Sequence, residues 1–167
     1  YSIRAPQSFS VNDPQVDADP VFVGVPNNGE IPLTIDANKL YLLGNPYPSA
    51  IDAYKFLEFN ENVLEGTLYF WTHNTTPTVS GGAAKYNYNS SDYATYNRTG
   101  TVTTATQAAT GGYVPSGMIA AGQGFFAPAS TSGGNLKFKN SMRVAGGAYG
   151  VNNAQFFKVN TKEKQSL

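Results

Sequence analysis

The chain has 167 residues, enough for one domain with a real core, and its 11 basic and 11 acidic side chains give a formal net charge of zero. Charged residues make up only 13% and form no basic stripe, so nucleic acid is excluded as an expected partner. There is no cysteine, hence no disulfide, zinc–thiolate site or thiol nucleophile, and no apolar run is long enough to cross a bilayer as a helix.

Polarity comes instead from Asn, Thr, Ser, Gln and Tyr. That mix suits an extracellular β-rich protein, whose strands favour Thr, Tyr and Phe and whose turns favour Gly, Asn and Pro. "YSIRAPQSFSVNDPQVDADP" opens the chain with three prolines and reads as a short edge strand followed by an irregular segment. Val21 to Val25 predicts a strand, "PNNG" a turn, and Glu30 to Ile35 a second strand returning as a hairpin. Pro32 puts that second strand at an edge or bulge.

Lys39 to Gly44 is short and apolar and predicts a buried strand. In "GNPYPSAID", Pro46 and Pro48 forbid regular structure, while Ser49 and Asp52 stand where a capping box would open a helix. Ile51, Tyr54 and Leu57 recur three apart, which predicts one short helix over 49–59. Each residue of the turn has a structural task, so it reads as an architectural corner rather than a catalytic loop, with Tyr47 free to be exposed beside it.

"GTLYFWTHN", Gly66 to Asn74, is apolar on both alternating faces and predicts a central strand with Trp71 in the core. From Thr75 to Gly112 the chain turns polar, with many Tyr and Thr, and predicts loops with short strands at Lys85–Tyr88 and Thr101–Thr104. Regular structure resumes in "GMIAAGQGFFAPAS", where Gly122 and Gly124 mark a bulge or a close backbone approach. "NLKFKNSMRV" alternates as a half-exposed strand, and Ala154 to Asn160 is the last strand candidate. "NTKEKQ" reads as a solvated tail. Many short strands separated by turns predict a single all-β domain over 1–167, an antiparallel β-sandwich or jelly-roll-like fold with one short helix and a polar excursion at 75–112.

Seven strings, "IRAP", "FVGVPNNG", "LLGNPYPSAIDAYKFL", "GTLYFWTHNT", "DYATYN", "IAAGQGFF" and "KNSMR", stand here in one order. In that order they resemble a β-sandwich segment of large secreted surface proteins of the Bacteroidota, exported by the type IX system. The resemblance spans about Tyr1 to Arg143, with "QFFK" extending it. It implies secretion and display at the cell surface, with no activity and no site residue to carry over. Similar proteins continue into further β-structure and a sorting domain, so a chain running from Tyr1 to Leu167 reads as a piece of a longer polypeptide.

The residues themselves bear on four chemistries. His73 is the only histidine, with no G-x-S-x-G to supply a nucleophile, and reads as structural. Carboxylates on the predicted helix and beyond it (Asp52, Glu58, Glu61, Glu65) stand in no strand-end motif for a glycosidase pair. Calcium as a structural ion would take Asp13, Asp17 and Asp19 from "VNDPQVDADP" and Asp92 from "NSSDYATYN", neither of which has EF-hand spacing. Carbohydrate would stack on Tyr86, Tyr88, Tyr93 and Tyr96, which lie among Asn and Thr and require coplanar exposure for that role.

The sequence thus predicts a noncatalytic extracellular module working in adhesion or assembly. Its partners would be flanking domains or copies of itself, joined by shape and strand addition. The alternative is a carbohydrate-binding module of a polysaccharide-binding or -degrading protein. No cofactor is expected beyond structural calcium, and no membrane insertion.

Overall fold

The computed structural model describes residues 23–72, 74–75, 78–79, 86–87 and 89–144, with the backbone alone at 78–79 and 86–87. The fold is all-β, built of antiparallel pairs with one short helix. Eleven strands follow in chain order: β1 Ile31–Ile35, β2 Leu40–Gly44, β3 Ile51–Asp52, β4 Thr67–Trp71, β5 Thr78–Val79, β6 Tyr86–Asn87, β7 Tyr93–Thr99, β8 Val102–Thr106, β9 Met118–Ile119, β10 Gly124–Pro128 and β11 Gly134–Phe138. Helix α1 is Ala53–Phe59.

A five-stranded sheet in the order β2-β10-β4-β7-β8 forms one layer. The pairs β1-β11 and β3-β9 share its hydrophobic core through Ile35, Leu136 and Phe138 and through Ile51 and Ile119. Alternation sends Leu43, Phe125, Ala127, Leu68, Phe70, Ala94 and Tyr96 of the large sheet into the core. Ile35, Leu136 and Phe138 enter from β1 and β11. Phe56 of α1 joins the layers: its ring packs edge-on to Phe125 at 5.5 Å and stacks on Phe138 at 5.0 Å.

The corner "GNPYPSAID" is architectural, and Asn45 is its centre. Its side chain is 4% exposed, and its Nδ2 donates to the carbonyls of Ser49 (2.8 Å), Ala120 (3.0 Å) and Ile119 (3.1 Å). Its Oδ1 accepts from Tyr47 N–H at 3.0 Å. The amide therefore stands in for backbone where two prolines prevent a ladder. Tyr47 is buried at 2% exposure, not exposed beside the turn. Its hydroxyl donates to Gly29 O at 2.6 Å, and burial pushes its pKa up.

The helix is shorter than its periodicity suggests. Ile51 and Asp52 pair with Ile119 and Met118 as a strand, which delays the helix until Ala53. Asp52, not Ser49, is the N-cap, accepting from Tyr54 N–H (2.8 Å) and Lys55 N–H (3.3 Å). Ser49 Oγ accepts from Arg143 instead. At the other end Asn60, 2% exposed, exchanges hydrogen bonds with the Lys137 backbone, its Nδ2 donating to Lys137 O and its Oδ1 accepting from Lys137 N. That bond fastens the helix end to β11.

Three expectations are corrected here. Val21 and Phe22 lie outside the described residues, and Val23 to Val25 form no strand; β1 pairs with distant β11 rather than in a hairpin. Pro32 does lie at an edge, because among the described residues β1 has β11 as its one partner strand. Second, β2 is an edge strand of the large sheet, with Leu40 and Leu42 61% and 67% exposed. Third, the polar excursion contains β7, a seven-residue central strand that joins β8 through a two-residue turn. Gly100 supplies the positive φ (+61°) at that turn's first central position. The expected strands in Lys85–Tyr88 and Thr101–Thr104 correspond to β6 and β8. Gly122 lies in the turn between β9 and β10. The strand proposed at Ala154–Asn160 and the tail "NTKEKQ" lie outside the described residues.

On the surface of the small sheet, Glu30 accepts from Lys137 Nζ (2.7 Å) and pairs with Lys139 (3.3 Å). The Lys137 hydrogen bond holds the Glu30 carboxyl below the usual range, against a smaller opposing effect of desolvation. A carboxyl lowered in the folded state stabilises above its ordinary pKa and loses that contribution as pH falls through its lowered one. Glu30→Gln is therefore expected to flatten the acid limb of stability against pH slightly, with no change near neutrality beyond the lost pair, as measured by urea unfolding at stepped pH.

Candidate functional site

The outer face of the large sheet carries the least explained chemistry. Register aligns Leu42 with Phe126, Phe126 with Tyr69, and Tyr69 with Thr95, so one row crosses four strands. Leu40 beside Pro128 flanks it on one side, and Trp71 beside Tyr93 on the other. The two leucines are largely exposed and Trp71 is 37% exposed; Tyr69, Tyr93, Phe126 and Pro128 are half-buried. Towards β8 the same face turns polar through Thr67, Asn97, Thr104 and Thr106, with Asn97 Nδ2 donating to Thr67 Oγ1 at 2.7 Å.

Two described ring pairs on this face are not parallel. Trp71 and Tyr93 meet at 66° with centroids 5.0 Å apart, and Tyr93 and Phe126 at 77° and 5.8 Å. They pack on one another edge to face, which fills the surface but offers no flat platform for a sugar ring. Trp71 is thus on the outer face of its central strand and not in the core, the opposite of the expectation from sequence.

Of the sequence-predicted tyrosines, Tyr93 and Tyr96 do not come together. Tyr93 and Tyr96 lie three apart on β7 and so face opposite ways. Tyr96 is 8% exposed in the core, where burial raises its pKa, and it offers no stacking surface. Tyr86 is described by its backbone in β6 alone, and Tyr88 lies outside the described residues.

Of the calcium candidates, Asp13, Asp17 and Asp19 lie outside the described residues. Asp92 is fully buried rather than loop-exposed. Its Oδ1 accepts from Thr75 Oγ1 (2.7 Å) and Thr110 Oγ1 (2.6 Å), and its Oδ2 from Thr75 N–H (3.1 Å). These donors fix the loops at Thr75 and Thr110 to the start of β7. Among the described residues no three acidic or histidine side chains gather as a metal site.

Glu58 and Glu61 are occupied structurally. Arg98, its side chain 8% exposed, reaches Glu61 at 3.0 Å and Glu58 at 3.7 Å and lies 5.0 Å from the centre of the Tyr54 ring. The Glu61 bond is the leading reason its pKa is raised. This cluster clamps α1 to β7. A groove of about 430 Å³ beside it is lined by Lys55, Glu58, Phe59, Glu61, Asn62 and Met142. His73 lies outside the described residues.

A family model described as a domain of unknown function, DUF8693, matches residues 1–167. The chain belongs to that family. No curated protein and no solved structure matches it. For this DUF8693 member the outer sheet face is the strongest candidate site. Its sequence signal was the alternation of Tyr69 and Trp71 in β4 with Phe126 in β10. The pairing that unites them joins strands far apart in the chain.

Proposed function

We propose that this DUF8693 chain is a noncatalytic extracellular module acting in adhesion or assembly through protein–protein contacts on the outer face of its large sheet. The observation that carries the reading is the row Leu42–Phe126–Tyr69 with Leu40, Pro128 and Trp71 around it. Exposed leucines and a proline beside edge-packed aromatics suit a protein surface better than an extended platform of coplanar rings for a polysaccharide. The structural employment of Asp52, Glu58, Glu61 and Asp92 supports a noncatalytic module. Resemblance to type IX-exported surface proteins of the Bacteroidota supports a secreted, cell-surface setting.

The test is binding of the purified chain to soluble and insoluble polysaccharides, with calcium and with chelator, while its oligomeric state is followed. The reading expects no saturable glycan binding under either condition. Saturable binding by a monomer overturns it in favour of a carbohydrate-binding module, and loss of that binding in chelator would bring calcium to the site.

A further inference from the structure

Strand β2 borders the large sheet, and among the described residues no strand pairs with its outward edge. The bonds from Ala129 N–H to Lys39 O (2.8 Å) and from Asn45 N–H to Gln123 O (3.0 Å) show that odd-numbered residues of this stretch face β10. By alternation, the N–H and C=O groups of Leu40, Leu42 and Gly44 point away from it. Among the described residues β2 has β10 as its one partner strand. The strand "LYLLG" contains no charge and no proline, the devices that usually guard an exposed edge.

The opposite edge, β8, likewise has no further partner strand among the described residues. Thr99 and Val102 close the two-residue turn, so Thr103 and Ala105 direct their backbone groups outward. What separates the edges is side-chain chemistry. Val102 is the one large apolar residue on β8, amid threonines, whereas Leu40 and Leu42 stand side by side on the outer face of β2. Only β2 combines unpaired backbone with adjacent leucines that gain by leaving water.

We propose that the occupant of this edge is β2 of a second copy of the chain, paired antiparallel about a two-fold axis at Leu42. This names the partner within the reading above and rests on it. In that register Leu42 faces Leu42 of the second copy, and Leu40 faces its Gly44. Every outward N–H and C=O of the strand then finds a partner. An uncharged strand can meet itself without like-charge repulsion, which a lysine or glutamate at the axis would forbid. Both large sheets become continuous across the axis, and their exposed leucines converge on one side. Such a contact is isologous and closes as a dimer.

Sedimentation velocity over a concentration series of the purified chain tests this, with Leu42→Lys and the β8-edge control Thr104→Lys alongside. The expected result is a concentration-dependent dimer that Leu42→Lys weakens at least tenfold and Thr104→Lys leaves within twofold. Leu42 is exposed in the single chain, so thermal unfolding of Leu42→Lys should match the parent at low concentration. Amide exchange gives a second readout that needs no variant: Leu40 and Leu42 slow as concentration rises, while Thr103 and Ala105 do not. A chain that stays monomeric throughout, or a dimer broken by Thr104→Lys and not by Leu42→Lys, overturns the proposal. A monomer that binds no glycan removes this dimer alone; saturable glycan binding removes the broader protein-contact reading.

Discussion

Asn45→Asp is expected to be among the most damaging single changes in the chain. The wild-type amide donates to three carbonyls from a site 4% exposed. A carboxylate has no proton to donate and would turn a buried negative charge towards those oxygens. Each abandoned buried acceptor costs about 1–3 kcal/mol, and an unpaired buried charge adds several more, so a loss of roughly 3–5 kcal/mol or greater at neutral pH is expected. Domains of this size hold only about 5–15 kcal/mol in all. The sign with pH is also fixed. Burial among carbonyls raises the new carboxyl's folded pKa above its unfolded one, so the penalty shrinks as pH falls towards the ordinary carboxylate range. Urea unfolding at neutral and mildly acidic pH, with Asn45→Ala as the uncharged control, measures both effects. A loss below about 1 kcal/mol at neutral pH would show that the corner does not depend on this amide.

Phe56→Ala is the second. Phe56 is fully buried, and its ring contacts Phe125 of the large sheet and Phe138 of the small one. Removing it leaves a cavity where the helix meets both sheets. Phenylalanine-to-alanine changes in cores cost about 3–5 kcal/mol, and the middle of this core has little freedom to collapse. The apparent Tm should fall by roughly 10 °C or more. Phe56→Leu should lose less, since most of the apolar volume remains. Equal losses for the two variants would mean that the ring contacts, rather than the filled volume, hold the layers together.

Some of this architecture could be read from local sequence because local chemistry determined it. The prolines and asparagine of the corner left one plausible structure, and β11 shows its alternation openly, with Leu136 and Phe138 inward and Lys137 between them. Other parts depended on pairing that no local window contains. β4 is apolar on both faces, so its sequence does not say which face meets the core; β7 and β10 beside it and Phe56 beneath it decide that Leu68 and Phe70 go in and Trp71 goes out. β7 was hidden because small Ala94 and polar Thr95 and Asn97 blur its period of two. β2 looked buried because three leucines stand in five residues, yet an edge position turns two of them to water.

The site was obscured for the same reason. Tyrosine density singled out Tyr93 and Tyr96, but a spacing of three on a strand separates them, one onto the outer face and one into the core. Leu42, Phe126 and Tyr69 lie far apart in the chain and become a row only through antiparallel register. Asn60 gave no signal beyond being polar and Asp92 read as a calcium ligand, although each is a buried fastener between distant segments.

Trp71 provides the most direct test of the central claim, because it is the only tryptophan and stands on the outer face. The measurement is acrylamide quenching of its fluorescence, with soluble polysaccharides in one series and rising chain concentration in the other. The account predicts unchanged quenching with every polysaccharide, and little change with chain concentration, because pairing at the β2 edge leaves β10 between that seam and the strand of Trp71. A polysaccharide that shields Trp71 saturably in the monomeric chain would contradict it.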